Sequence, residues 1–173
     1  MTAESDTSVM SRSAHPKRIA VYGRRKDIVV HAYNMTGAGF WLAGLPAIQV
    51  SVDATATELS NIIRDVLRAS GARVPTPLRD DYPRRLRPVL QALGAKSWSE
   101  IERNSRYCSV SQEKPGEIRV TPTWNGGGRG PNRGFHDLDS LAFTIPTDAF
   151  DEVLSAGVRR GLELSQSKPL KTG

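Results

Sequence analysis

A general base needs an imidazole and a carboxylate to orient it, and His136-Asp137 offers both residue types beside a glycine-rich stretch. Adjacent residues on a strand point to opposite faces, so this adjacency works against a shared site. The other histidines are poorer candidates. His15 falls in the N-terminal arm, and His31 lies inside an apolar strand, where a packed or hydrogen-bonded ring is the ordinary outcome. There is no HExxH, no GxSxG and no spaced carboxylate set for a metal. Cys108 is the sole cysteine, which excludes an intrachain disulfide and a cysteine-based zinc site. It reads as a small buried hydrophobe on a strand. No enzyme and no cofactor are expected.

Binding chemistry is better represented. Ile118 to Phe135 reads IRVTPTWNGGGRGPNRGF: a strand, then Trp124, a triple glycine, Arg129, Arg133 and Phe135. The alternation of Ile118 and Val120 with Arg119 and Thr121 fits a half-buried strand, and Pro122 is expected to end its ladder because it has no N–H. The loop beyond it has few side chains to hold its shape, so it is either mobile or held by something else. The plain alternative is a long connector. A phosphate cradle fits worse, since no Lys-Ser/Thr closes a P-loop and no helix opens after the glycines. Trp124, Arg129, Arg133 and Phe135 are the candidate partner-binding residues.

Net charge is +6, which permits an anionic or acidic partner without choosing one. Basic residues concentrate at Lys17/Arg18, Arg24-Arg25-Lys26, Arg84-Arg85/Arg87 and Arg129/Arg133. With Trp124 and Phe135 interleaved, they can track a phosphate backbone and stack bases, so a single-stranded nucleic-acid binder is the alternative. The first residues carry acids and no apolar h-region, and no run reaches transmembrane length. A cytoplasmic protein without membrane contact is expected, with residues 1–16 a disordered arm, 17–165 one domain and 166–173 a flexible tail. Met10 is a second candidate start.

The elements that must position these residues follow from periodicity. Lys17 to Arg24 and Asp27 to Tyr33 read as strands around a basic turn, and Ala47 to Val52 as another after a segment broken by Gly44 and Pro46. Thr55-Ala56-Thr57-Glu58 is a capping box ahead of a helical stripe of Leu59, Ile62, Ile63, Val66 and Leu67. A proline-bearing connector, Val74 to Pro88, carries Asp80-Asp81 and precedes a shorter stripe at Leu86, Val89, Leu90 and Leu93. Ser97 to Glu100 reads as a second capping box. Tyr107 to Ser111 and Glu117 to Thr121 form a hairpin, Ser140 to Ile145 a strand, and Thr147 caps a last helix with Phe150, Val153, Leu154, Val158 and Leu162 inward. Gly157 and Gly161 on that stripe imply close approach to the sheet. Strands grouped before helices give an α+β fold, a largely antiparallel sheet packed by two main amphipathic helices and short connecting ones.

Three places taken in order carry a resemblance. Leu93-Gly94-Ala95-Lys96-Ser97-Trp98 follows a helix, Val120 to Gly128 (VTPTWNGGG) ends a strand, and Gly134-Phe135 resumes before a last helix ending near Glu163-Leu164-Ser165. Tyr33 to Gly37, followed by Phe40-Trp41, adds a Thr-Gly turn. This pattern resembles the CdiI-type immunity proteins of bacterial contact-dependent growth inhibition (CDI) systems, over Lys17 to Ser165. The resemblance implies a cytoplasmic, non-enzymatic protein that binds the C-terminal toxin domain, often a nuclease, of a cognate CdiA-type effector and blocks its active site or the path to it. It carries over no catalytic residues, and the shared motifs would hold the fold. One departure is charge: such an inhibitor often shows acidic surface to a nuclease, and this chain is basic. Either a locally acidic patch (Asp80, Asp81, Glu100, Glu102, Asp137) makes the contact, or the toxin offers an acidic face.

Overall fold

The computed structural model describes residues 16–166. Residues 1–15 of the expected arm, His15 among them, and residues 167–173 of the expected tail lie outside the described residues. The elements run β1 (Lys17–Gly23), β2 (Asp27–Thr36), β3 (Trp41–Ser51), α1 (Ala56–Ala69), β4 (Arg73–Val74), α2 (Tyr82–Ala92), α3 (Trp98–Asn104), β5 (Arg106–Gln112), β6 (Glu117–Asn125), β7 (Phe135–Asp137), β8 (Phe143–Pro146) and α4 (Asp151–Leu164). Eight strands form a sheet in the order β3-β2-β1-β5-β6-β7, with β8 also on β6 and β4 on β2. All pairings are antiparallel except the short β2–β4 pair. The fold is α+β, as the grouping of strands and helices implied.

Both faces of the sheet are covered, and β1 shows why. Ile19 and Val21 point to one face, where they join Leu59, Ile63, Val66 and Leu67 of α1 and Leu154, Val158 and Leu162 of α4. Ala20 and Tyr22 point to the other, where they meet Val89 of α2, Leu93, Ile101 of α3 and Tyr107. The short connecting helices therefore close a second core. Each fully buried aliphatic or aromatic side chain contributes about 1.5–3 kcal/mol. The Thr55 capping box forms as expected: its hydroxyl accepts from the Glu58 N–H at 3.2 Å and the Glu58 carboxylate accepts from the Thr55 N–H at 2.9 Å. Across the first face, Arg64 pairs with Asp151 at 2.8 Å and Ser60 Oγ donates to the Asp151 carbonyl at 2.7 Å, locking α1 to α4.

Several expectations need correction. Pro122 does not end β6. The strand continues to Asn125, because the N–H and C=O of one strand residue face the same side, and Pro122 faces the gap where its neighbour changes from β8 to β7. Its carbonyl accepts from Leu138 N at 2.9 Å, and the missing donor has no ladder partner to disappoint. Likewise Gly44 and Pro46 do not break β3. Ala32 pairs with Gly44 and His31 with Ala47, so Leu45 and Pro46 bulge out of an edge strand that tolerates them. Helix α2 starts at Tyr82, inside the expected connector, with Pro88 in its interior. Ser97 caps α3, but the Glu100 carboxylate accepts from Lys96 N, so only half of the second box forms. Thr147 does not cap α4. The helix begins at Asp151, which leaves Phe150 82% exposed at the N-cap and Val153 half exposed. Asp151 and Glu152 in the first turn suit the helix dipole in place of a side-chain cap.

Candidate partner-binding site

The glycine stretch is held, not loose. Gly126 N donates to Gly134 O at 2.8 Å and Gly134 N to Gly127 O at 2.9 Å, extending the β6–β7 pairing into the loop. Gly126 is required there, because a Cβ would run into the Asn132 carbonyl oxygen. Asn125 is the pin. Its side-chain Nδ2 donates to Glu102 O at 2.7 Å and Ser105 O at 2.9 Å, while Oδ1 accepts from Gly127 N at 2.8 Å. One buried amide thus ties the loop to the end of α3, with its donors and its acceptor all engaged.

The six candidate residues separate. Arg133 lies against α3, its Nε donating to Glu102 Oε2 at 2.8 Å. Phe135 turns inward and packs on Tyr107 and Tyr22, with centroids 5.0 and 5.8 Å away, so it belongs to the second core. Trp124 is half-buried with its ring 5.2 Å from His136. Arg129 is exposed. Asp80 and Asp81 sit in a 3-10 turn ahead of α2, where Asp81 pairs with Arg84 at 2.9 Å. The structure thus gathers Trp124, Arg129, Arg133 and Phe135 in one loop region and leaves the two aspartates on another segment. His136 and Asp137 diverge as strand neighbours must. The imidazole Nε2 lies 3.0 Å from Asn132 O, and the Asp137 carboxylate faces Arg18 at 3.9 Å. They share no site.

Behind Phe135 lies an aromatic cluster around fully buried His31. Tyr22 stacks on both His31 and Tyr107, while Tyr33 and Trp98 meet the imidazole edge-on. Nδ1 donates to the Ala32 carbonyl at 2.9 Å, which leaves Nε2 to accept from the Tyr22 hydroxyl at 3.3 Å. Burial lowers the His31 pKa to about 4, against a weaker opposing effect of the Ala32 carbonyl. Burial also pushes the Tyr22 and Tyr107 phenols and the Cys108 thiol upward. These groups stay neutral near pH 7 and serve packing.

A wide concavity opens beside the loop. A cleft of about 880 Å³ is bounded by the β1–β2 turn (Arg24, Arg25), the α3–β5 junction (Arg103, Arg106), the glycine loop (Gly127, Gly128, Arg129) and the end of α4 (Arg159, Leu162, Glu163). Ile28, Val52 and Leu162 give it apolar surface. Two of the arginines are engaged within the fold: Arg24 grips Asp27 through two bonds of 2.7 Å, and Arg159 donates to Val52 O and Ala54 O at 2.8 Å each. For Arg25, Arg103, Arg106 and Arg129, no carboxylate among the described residues lies within ion-pair distance. The sequence showed the Arg24-Arg25 and Arg129 groups but not Arg103, Arg106 or Arg159, which are isolated along the chain and meet only through the fold. No group of three or more potential metal ligands occurs among the described residues, and no helix among them is long and apolar enough to cross a membrane.

The fold has solved counterparts. A protein of unknown function from Neisseria meningitidis is similar with a TM-score of 0.67 and 12% identity, covering 87% of this chain and 96% of that one. A CdiA-CT/CdiI toxin and immunity complex from Yersinia pseudotuberculosis is similar with a TM-score of 0.63 and 16% identity, covering 87% and 98%. No curated protein sequence matches. The sequence model of the CDI immunity proteins, CdiI, matches residues 17–165, from the first residue of β1 to the one after α4. With that match spanning every element that builds the two cores, the chain belongs to the CdiI family of CDI immunity proteins.

Proposed function

We propose that this protein binds the C-terminal toxin domain of its cognate CdiA-type effector in the cytoplasm and neutralises it by stoichiometric occlusion, and that the toxin is a nuclease. The family match over the whole domain carries this reading, and the similar fold in a toxin and immunity complex supports it. Inhibition of this kind needs surface complementarity and no bond-making by the inhibitor. The charge of +6 suits a toxin with an acidic working face, as carboxylate-rich, metal-dependent hydrolytic centres have. Trp124, at the end of β6, and Arg129, on the loop fixed by Asn125, are the proposed anchors. Large aromatic and guanidinium groups held on a rigid support are the residues that concentrate binding energy. Phe135 and Arg133 support that loop from behind.

Co-expression with the toxin domain encoded beside this chain is the test. Cells making both are expected to survive, the pair to elute as a 1:1 complex, and nucleic-acid cleavage by the purified toxin to stop at one equivalent of inhibitor. Survival of cells making the toxin alone, or toxin and inhibitor eluting separately, refutes the proposal. A toxin that is neutralised but cleaves no nucleic acid refutes the nuclease assignment only.

A further inference from the structure

We infer that the arginine-lined cleft receives an acidic segment of the toxin domain, one that brings at least two carboxylates among the guanidiniums of Arg25, Arg103, Arg106 and Arg129. The inference rests on the immunity reading and names the chemistry of the contact.

Arginines from three separate segments face one concavity without carboxylate partners among the described residues, whereas eight other arginines have one. Like charges gathered in a concave, partly apolar wall focus a positive potential and repel one another, and both effects are relieved by an anionic occupant. Guanidinium is suited to the task because its planar fork matches a carboxylate bidentately and tolerates desolvation better than an ammonium. The positions are fixed from beneath. Arg24–Asp27 braces the turn that carries Arg25, Arg159 clamps α4 to the backbone after β3, and Asn125 joins the Arg129 loop to the segment bearing Arg103 and Arg106.

Two features favour a peptide over nucleic acid. None of the residues lining the cleft is aromatic, so it lacks the aromatic platforms on which single-strand binders stack successive bases. Its walls instead combine guanidiniums with Ile28, Val52 and Leu162, a surface for aliphatic side chains between carboxylates. At about 880 Å³ the cleft also exceeds what a lone phosphate fills and approaches the upper size of single-ligand sites.

The experiment measures affinity between the full chain and the purified toxin domain encoded beside it, at low and high salt. The R25Q/R103Q/R106Q/R129Q variant is compared with wild type and with R85Q/R87Q, which removes two exposed charges that do not line the cleft. All four mutated arginines are exposed, so the circular dichroism spectrum is expected to be unchanged. The quadruple variant is expected to weaken binding about 100-fold or more and to flatten the salt dependence of association, with the control within about threefold of wild type. Exchanging Glu or Asp of the toxin segment for Lys should then cost wild type far more than it costs the variant. If the wild type binds and the quadruple variant binds equally well, the cleft inference falls and the immunity reading stands. If the wild type forms no complex, both fall. If the variant keeps toxin affinity but loses binding to a fluorescent single-stranded oligonucleotide, the cleft belongs to nucleic acid and the inference is overturned.

Discussion

Acid should weaken this fold through one residue. His31 is sealed between Tyr22, Tyr33 and Trp98, with both ring nitrogens already engaged and no carboxylate contributing to its environment. Its pKa is lowered from 6.5 to about 4, chiefly by burial. Above 6.5 the ring is neutral in both folded and unfolded chains, and its contribution to stability is fully present. Between 6.5 and about 4 the unfolded chain takes up a proton that the folded chain refuses, so stability declines as pH falls. At about 1.36 kcal/mol per pKa unit, a lowering of this size is worth about 3 kcal/mol in total, most of it lost by pH 4.5. Carboxylates also titrate in this range, so the assay is a comparison. Urea unfolding of wild type and H31Q is measured at pH 7.5 and 4.5. The amide of glutamine can accept from Tyr22 and does not titrate. The variant should start less stable at pH 7.5 and lose about 2–3 kcal/mol less on acidification. Equal losses in the two proteins, or a His31 imidazole resonance titrating near 6.5 in the folded state, would refute the reasoning.

Other substitutions probe the parts that shape the site. Asn125→Ala removes two donors and an acceptor at once, and should cost about 2–4 kcal/mol while speeding amide exchange selectively across residues 126–134; unchanged exchange there would show that the loop holds itself. Gly161→Ala places a Cβ 2.5 Å from Val120 Cγ1 and 3.2 Å from Cys108 Sγ. It should destabilise by about 1–2 kcal/mol in thermal or urea unfolding despite alanine's better helix propensity, and a stabilised variant would contradict so tight an α4–sheet contact. The Cys108 thiol is fully buried with its pKa raised by burial, so an aromatic disulfide reagent at pH 8 should label it only as fast as the protein unfolds. Labelling within seconds in native buffer would place it at the surface.

Local chemistry was legible from residue order, and long-range geometry was not. The Thr55 capping box, the α1 stripe and the approach of Gly157 and Gly161 to the sheet depend on residues a few positions apart, and each forms. Prolines are ambiguous signals in a strand. Pro46 and Pro122 break strands only where a ladder partner would need their missing N–H, and that depends on which strand lies alongside. Phe135 looked like a surface aromatic between a glycine and a histidine, yet pairing of β7 with β6 swings it onto Tyr22 and Tyr107. Thr147 has the residue type of a cap, but its N–H donates to Gly116 O and the helix starts only after Phe150. The cleft was the least visible feature. Its arginines are scattered from Arg24 to Arg159, and no window along the chain contains them.

The place of the first strand matters for how the chain comes into being. Strand β1 is made first but sits in the middle of the sheet, between β2 and β5. The ribosome delivers β2 almost at once, whereas the other neighbour begins only at Arg106. Until that segment is made, the nascent meander of β1, β2 and β3 has a naked hydrogen-bonding rim on β1, the kind of rim that recruits foreign strands. A cell that depends on this protein for protection gains nothing from a partly made copy, and must shield that rim until the late segments arrive to close it.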